Sequence, residues 1–124
     1  MEYDKTNYVP PAPSLQVVVS NPYSKESRKE RGKVDTGADI SVIPSEFVPQ
    51  LGLAPARRLL ARAYDRREGF VITYYVDLAV QKFAFELVEV VAAPRSDILL
   101  GRDILNRLKM LLDGKALTLE LQDP

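Results

Sequence analysis

The sequence feature that most constrains the fold is a period of two between residues 70 and 80. Every even position in this stretch is apolar, whereas the odd positions include Thr73 and Asp77. Because successive side chains of a β-strand point to opposite faces, the pattern predicts a strand with one buried face. We expect a partner strand before the polar tip at residues 65–69 and a further strand at residues 82–91. This part of the chain is therefore predicted to form hairpins.

The rest of the sequence indicates more strands and little helix. A β-branched run at residues 15–20 and alternating leucines at residues 117–122 predict two further strands, the second of them after an Asp-Gly tight-turn signal. Short helices are expected at residues 45–52 and 104–108. The secondary structure is therefore predicted to be almost entirely β.

Two polar stretches are not expected to be strands. Residues 1–14 are rich in proline and predict an extended N-terminal arm, which leaves residues 15–124 as a single domain. Residues 24–33, SKESRKERGK, carry many charges and predict a solvated hairpin tip rather than a binding patch.

The absence of two residue types narrows the chemistry. The 124-residue sequence contains no cysteine and no histidine. This excludes disulfides, thiol nucleophiles, Ser–His–Asp mechanisms and zinc sites built from these residues. The 17 basic and 17 acidic residues balance, without a basic stripe, which disfavours nucleic acid as the partner. Because no apolar run approaches the roughly 20 residues of a membrane helix and no secretory leader is evident, we expect a cytoplasmic protein without a membrane partner.

Residues 34–44, VDTGADISVIP, carry the candidate chemistry. Gly37 permits a tight turn that presents Asp35 at a loop apex, and Thr36 can hold that loop by a hydrogen bond. Amide hydrolysis needs a base that activates water and an acid that protonates the leaving amine, and one carboxylate is a poor substitute for both. Two carboxylates that share a proton meet both needs. Since the chain has one such loop, a two-fold dimer would supply the second Asp35.

This motif, followed at residues 98–105 by ILLGRDIL, resembles the retropepsin family of retrovirus-type aspartic peptidases. The similarity covers residues 15–121 and is greatest to the prokaryotic single-domain members. It implies an all-β, closed barrel-like fold with one or two short helices, assembled as a homodimer. It also implies an aspartic endopeptidase that acts on extended peptides and uses neither a cofactor nor a metal.

The resemblance further implies a role for individual residues of both motifs. The catalytic triplet would be Asp35, Thr36 and Gly37. The cleft and the flap that closes over substrate would together supply the substrate-binding residues, namely Ala38, Asp39, Ile40, Arg67, Glu68, Gly69 and Leu99. Arg102 would pair with Asp39 and brace the active loop. For Asp103 two roles stay open, a helix N-cap and a site residue.

Two features depart from the retropepsin pattern. The flap tip is charged and has a single glycine, Gly69, and the residue before Val34 is Lys33 rather than an apolar residue. These departures support an alternative function, a catalytically silent dimeric module of the same fold that binds peptides.

Overall fold

The computed structural model describes residues 1–62 and 68–122, except for the side chains of residues 61, 62 and 68. Over these residues the chain forms nine strands: β1 (Ser14–Ser20), β2 (Ser27–Val34), β3 (Val42–Pro44), β4 (Pro55–Arg62), β5 (Glu68–Val80), β6 (Phe83–Ala93), β7 (Ile98–Leu100), β8 (Lys109–Asp113) and β9 (Thr118–Gln122). Two short helices accompany them, α1 (Phe47–Leu51) and α2 (Arg102–Leu105).

Six of the strands close into a barrel in the order β1-β2-β7-β3-β6-β5. Antiparallel pairing between β1 and β5 completes the closure, with Val17 opposite Val80. Strand β4 is added outside the barrel along β5, and β8 pairs with β9 in a separate two-stranded sheet. The prediction of an all-β, closed barrel-like fold with one or two short helices is confirmed.

The core lies inside the barrel and is built from alternate residues of its strands. On β5 the even positions Val76, Leu78 and Val80 are buried, and β1 contributes Val17 and Val19 to the same core. Burial of each such side chain stabilises the fold by about 1.5–3 kcal/mol. The period of two therefore predicts the buried face of this half of β5 correctly.

The other half of β5 does not follow that prediction. Phe70 and Ile72 also occupy even positions, yet they are 65% and 43% exposed. Their part of β5 pairs only with β4, whereas pairing with β6 begins at Thr73. The hairpin of β4 with the first half of β5 therefore extends beyond the barrel, and its inner face is exposed at Phe70 and Ile72. We call this hairpin, residues 57–62 and 68–73, the flap hairpin.

The charged stretch at residues 24–33 was expected to be a hairpin tip, and that expectation is wrong for most of its length. Strand β2 begins at Ser27 and pairs with β1 from Ser27 to Lys33. The backbone ladder is independent of the side chains, and charges are tolerated where they face water, so pairing overrides the low strand propensity. The second helix also differs, since it begins at Arg102 and ends at Leu105.

Residues 1–13 pack against the barrel and against β9. The Tyr3 amide donates to the Leu117 carbonyl (2.8 Å), and the Val34 amide donates to the Pro13 carbonyl (3.0 Å). The Tyr8 ring lies over the outer face of β2, with its centroid 5.2 Å from the Lys33 ammonium. This contact explains a charged residue beside the motif, because Lys33 points away from the core toward an aromatic face. The division of the chain into an arm, 1–14, and a domain, 15–124, stays a prediction.

Tyr8 also docks on a buried carboxylate at the start of β7. Its hydroxyl donates to Asp97 (2.5 Å), and the Arg95 side chain donates to the other carboxylate oxygen (2.7 Å). Burial acts to raise the pKa of Asp97, but the bonds from Arg95 and Tyr8 outweigh it and hold that pKa below its ordinary value. Burial and the bond to Asp97 raise the pKa of Tyr8 to about 12. The pair is therefore a neutral phenol donating to an ionised carboxylate over the whole neutral range.

We expect Asp97→Asn to lower the free energy of unfolding at neutral pH by about 1.5–3 kcal/mol, the range for a hydrogen bond to a charged group. Because the folded pKa of Asp97 is depressed, its contribution is present above the ordinary aspartate pKa of about 3.9 and is lost as the pH falls through the depressed value. Chemical denaturation at several pH values measures the difference between the two proteins. A difference that is as large at pH 2 as at pH 7 would contradict this assignment.

Candidate active site

Asp35 is placed by the two strands that end beside it. Strands β2 and β7 run parallel with Val34 opposite Leu100, so the chain leaves β2 directly at Asp35. The Asp35 amide donates to the Leu100 carbonyl (3.0 Å). The Gly37 amide in turn donates to Oδ1 of the Asp35 side chain (3.0 Å). These two hydrogen bonds therefore fix the backbone at Asp35 and at Gly37.

The carboxylate lies at the surface of the single chain. Asp35 is half-buried, and Thr36 and Gly37 are exposed. Within the described part of the chain, Oδ2 of Asp35 accepts no hydrogen bond, so one oxygen is open to a ligand. An aspartate held in this way can accept a proton from water.

Arg102 bridges the two ends of the loop that follows Asp35. Its Nη1 donates to the Thr36 carbonyl (2.9 Å), and its Nη2 bonds to the Asp39 carboxylate. The Arg102 and Asp39 side chains are 46% and 84% exposed, so the ion pair contributes little to overall stability. The bridge instead fixes the distance between Thr36 and Asp39 in the loop. The structure thus brings together the two residues that the sequence predicts as a brace.

A buried network beneath the loop was not predicted. Ser41, fully buried, donates its hydroxyl to Oδ1 of Asp103 (2.7 Å) and its amide to Oδ2 (3.0 Å). The Ser41 hydroxyl also accepts a bond from the Gly101 amide (3.0 Å). The N-cap of α2 is Gly101, so of the two roles left open for Asp103 the helix cap is excluded. Ser41 therefore ties the chain after the loop both to Asp103 in α2 and to the turn before that helix.

The turn at Gly101 packs directly on the backbone of the loop. The Arg102 amide donates to the Ala38 carbonyl (2.8 Å). A Cβ at Gly101 would lie 2.9 Å from that carbonyl oxygen and 2.9 Å from the carbonyl carbon of Ile40. The close approach of the two segments therefore requires a residue without a side chain at this position.

Comparison with known proteins decides the family. Residues 27–107 match the family described as “gag-polyprotein putative aspartyl protease”. This range contains both sequence motifs and extends over more than half of the chain.

The chain belongs to this aspartyl protease family.

Solved structures of retroviral-type proteases are similar to this family member. The simian foamy virus (mac) protease is 25% identical over 75% of this chain and 91% of its own, with a TM-score of 0.57. A retropepsin-like aspartic protease from Rickettsia conorii is 22% identical over 98% of this chain and 86% of its own, with a TM-score of 0.65. The retroviral protease-like domain of Ddi1 from Leishmania major is 18% identical over 90% of each chain, with a TM-score of 0.54. The last two likenesses show the fold, and the resemblance to retropepsins is confirmed. No curated protein matches the sequence.

The predicted substrate-binding residues of this family member fall into three groups. Ala38 and Ile40 are half-buried in the loop, next to the exposed Asp39. Leu99 is half-buried on β7 between Lys33 and Val42. The flap residue Gly69 is exposed and pairs with residue 61 of β4. Their roles in binding stay predictions.

The other two predicted flap residues are Arg67 and Glu68. Arg67 lies outside the described residues, and so does the side chain of Glu68.

The inner face of the flap hairpin is a candidate substrate surface that was not predicted from the sequence. Leu60 pairs with Phe70, and Arg58 pairs with Ile72, so these four side chains share one face. That face is continuous with the even, core-facing positions of β5 and carries three exposed apolar side chains. The period of two in the sequence contained the signal for this surface, because the alternation continues to residues that lie beyond the barrel and are not buried by it.

The described residues contain neither a candidate metal site nor a candidate membrane-spanning helix. In residues 1–62 and 68–122, no three acidic side chains are grouped so that they could hold a metal ion. Among the same residues, no helix has the length and apolar character that a membrane crossing requires.

We expect Arg102→Ala to reduce kcat by about 10- to 100-fold, because a shift of the loop by a fraction of an ångström misplaces the attacking groups. The free energy of unfolding should change by no more than about 1 kcal/mol, since both partners are exposed. Peptide-cleavage kinetics and thermal unfolding measure the two quantities. Arg102→Lys is the matched control: it keeps the charge but not the two-point contact, and should be intermediate. An Ala variant with an unchanged rate would refute the brace.

Proposed function

We propose that the protein is a homodimeric aspartic endopeptidase in which Asp35 acts together with Asp35 of a second copy. The observation that carries this proposal is the geometry at Asp35, with a fixed backbone, one open carboxylate oxygen and a loop braced by Arg102. Membership of an aspartyl protease family supports it. The substrate would be an extended peptide.

The dimer is required by the chemistry and supported by the surface. Each chain carries one Asp-Thr-Gly triplet, so a second copy supplies the second carboxylate. The exposed Thr36 and Gly37 leave the loop accessible to that copy.

In the proposed mechanism the two carboxylates share one proton, because two charges at short range cannot both persist. The ionised Asp35 takes a proton from a water molecule, and this water attacks the scissile carbonyl. The protonated Asp35 donates its proton to the carbonyl oxygen. When the tetrahedral species collapses, the C–N bond breaks, the leaving nitrogen takes the proton that the first Asp35 gained from water, and the second Asp35 takes a proton back from a hydroxyl of that species. No cofactor takes part.

The peptide would lie between the loop and the flap hairpin. An extended chain can bond to backbone groups on both sides, and alternate side chains then point toward the loop or the flap. The exposed Leu60, Phe70 and Ile72 would receive apolar side chains of the substrate. A cytoplasmic location, without nucleic-acid or membrane partners, stays a prediction from the sequence.

Cleavage of a mixed peptide library at mildly acidic and neutral pH tests the function. Products that disappear with pepstatin, an inhibitor of aspartic peptidases, are the expected result. If a folded dimer binds peptides but yields no product, the peptide-binding module is the correct function instead. If the protein neither binds nor cleaves peptides, both functions are wrong.

A further inference from the structure

A network of three polar side chains connects three neighbouring strands at the base of the flap hairpin. Arg57 on β4 contacts the Glu89 carboxylate on β6 through two bonds, Nε to Oε2 (2.6 Å) and Nη2 to Oε1 (2.9 Å). The Thr73 hydroxyl on β5 donates to Oε2 of the same carboxylate (2.6 Å). A single carboxylate on β6 therefore binds one side chain from β4 and one from β5.

The network lies where the flap hairpin leaves the barrel. Thr73 is the residue at which pairing between β5 and β6 begins, and Arg57 is its partner on β4. As a strand, β4 pairs with β5 alone in the part of the chain that the structure describes. The Arg57–Glu89 contact therefore spans β5 and joins the outer strand of the hairpin directly to the barrel.

The burial and charge of these groups distinguish them from an ordinary surface ion pair. Thr73 is fully buried, and the Glu89 side chain is only 19% exposed, although Arg57 is 59% exposed. Bonds from Arg57 and then Thr73 lower the pKa of Glu89 below its ordinary value, which keeps the carboxylate ionised. Two-point contact with a guanidinium fixes direction as well as distance. The buried Thr73 hydroxyl also lies 3.2 Å from the Arg57 carbonyl oxygen, so it contacts both the backbone of β4 and the carboxylate on β6.

We propose that Glu89 is a positioning residue for the flap hairpin, holding Arg57 and Thr73 so that the apolar inner face keeps its direction toward the bound peptide. This inference rests on the proposed peptidase function. Glu89 touches neither substrate nor the reacting atoms and acts through its two partners. The flap contacts the bound peptide before and during reaction alike, so a loosened flap weakens both states equally. Such a loss raises KM and leaves kcat nearly unchanged.

Kinetics of Glu89→Gln test the inference. This variant keeps the size of the side chain but removes its charge, and we expect KM to rise by on the order of tenfold with kcat changed by less than about twofold. Thr73→Val keeps the buried volume but removes the hydroxyl and should act in the same direction. The matched control is Asp77→Asn on β5, which alters a carboxylate in the barrel part of that strand, bonded to Lys25 and to the Leu87 amide. Asp77→Asn should leave KM unchanged.

Hydrogen exchange of backbone amides supplies a readout that does not need activity. In Glu89→Gln, amides of residues 57–62 and 68–73 should exchange faster, while those of β1 keep the wild-type rates. Unchanged exchange in the hairpin, or a fall in kcat at constant KM, would overturn the positioning role. Faster exchange throughout the barrel would overturn it as well, since the residue would then serve general stability. If the wild-type protein does not cleave peptides, the peptidase proposal fails, and the exchange measurement still decides the role of Glu89.

Discussion

Replacing Asp35 with asparagine is expected to abolish peptide cleavage and to leave the fold intact. In a homodimer the substitution removes both carboxylates, so acid and base catalysis are lost together and the rate should fall by about 10⁴-fold or more. The side-chain oxygen of asparagine can still accept the bond from the Gly37 amide, so the loop keeps its shape. Cleavage kinetics, thermal unfolding and the sedimentation of the dimer measure the outcome.

The matched control for this prediction is Asp113→Asn. Asp113 also accepts a backbone bond within a turn, from the Ala116 amide (2.9 Å), but it lies in the β8–β9 hairpin. The control should keep the wild-type rate. Turnover by Asp35→Asn at a rate near that of the control would rule out the proposed mechanism.

Gly101→Ala is expected to damage stability and cleavage together. The added methyl group would lie 2.9 Å from the Ala38 carbonyl oxygen and the Ile40 carbonyl carbon, and backbone atoms cannot move aside as a flexible side chain can. We expect a loss of about 1–3 kcal/mol in the free energy of unfolding, as for other overpacked sites. Because the displaced atoms belong to the loop after Asp35, kcat should fall by about 10²-fold even where the protein stays folded.

Gly114→Ala separates the local effect from a general effect of replacing glycine. A Cβ at Gly114 would meet no atom within 4 Å, and its backbone is not in the left-handed region. Denaturant unfolding and cleavage rates of the two variants are compared under the same conditions. If Gly101→Ala behaves like Gly114→Ala, the close contact with the loop is not a constraint.

Much of the fold could be predicted from local patterns because strand pairing here follows alternation. The buried half of β5 and the hairpins around it were evident from the period of two. The pattern could not show where burial ends, since Phe70 and Ile72 have the same spacing as Val76 and Leu78 and differ only in what lies above them. Strand β2 was missed because its strand character comes from its neighbour rather than from its own residues.

The site shows the same division between local and distant information. The Asp35 loop and its partner Arg102 were predictable, because both belong to motifs with a known resemblance. The Ser41–Asp103 bonds join residues far apart in sequence, and neither residue type signals burial by itself. The contacts of Glu89 depend on the register of three strands, and a slip of one residue would change that register. Physical contact across the fold, rather than composition, determines both networks.

The pairing of residues 1–3 with residues 117–119 has a consequence for the order in which the molecule assembles. During synthesis the first segment is made long before its partner, so it must wait while the hairpins between them form. Contacts between distant segments form late because the intervening chain loses its freedom first. We therefore expect residues 1–3 to lack their pairing partner in the nascent chain until β9 has been made, whereas Tyr8 can settle over Lys33 as soon as Asp97 is available.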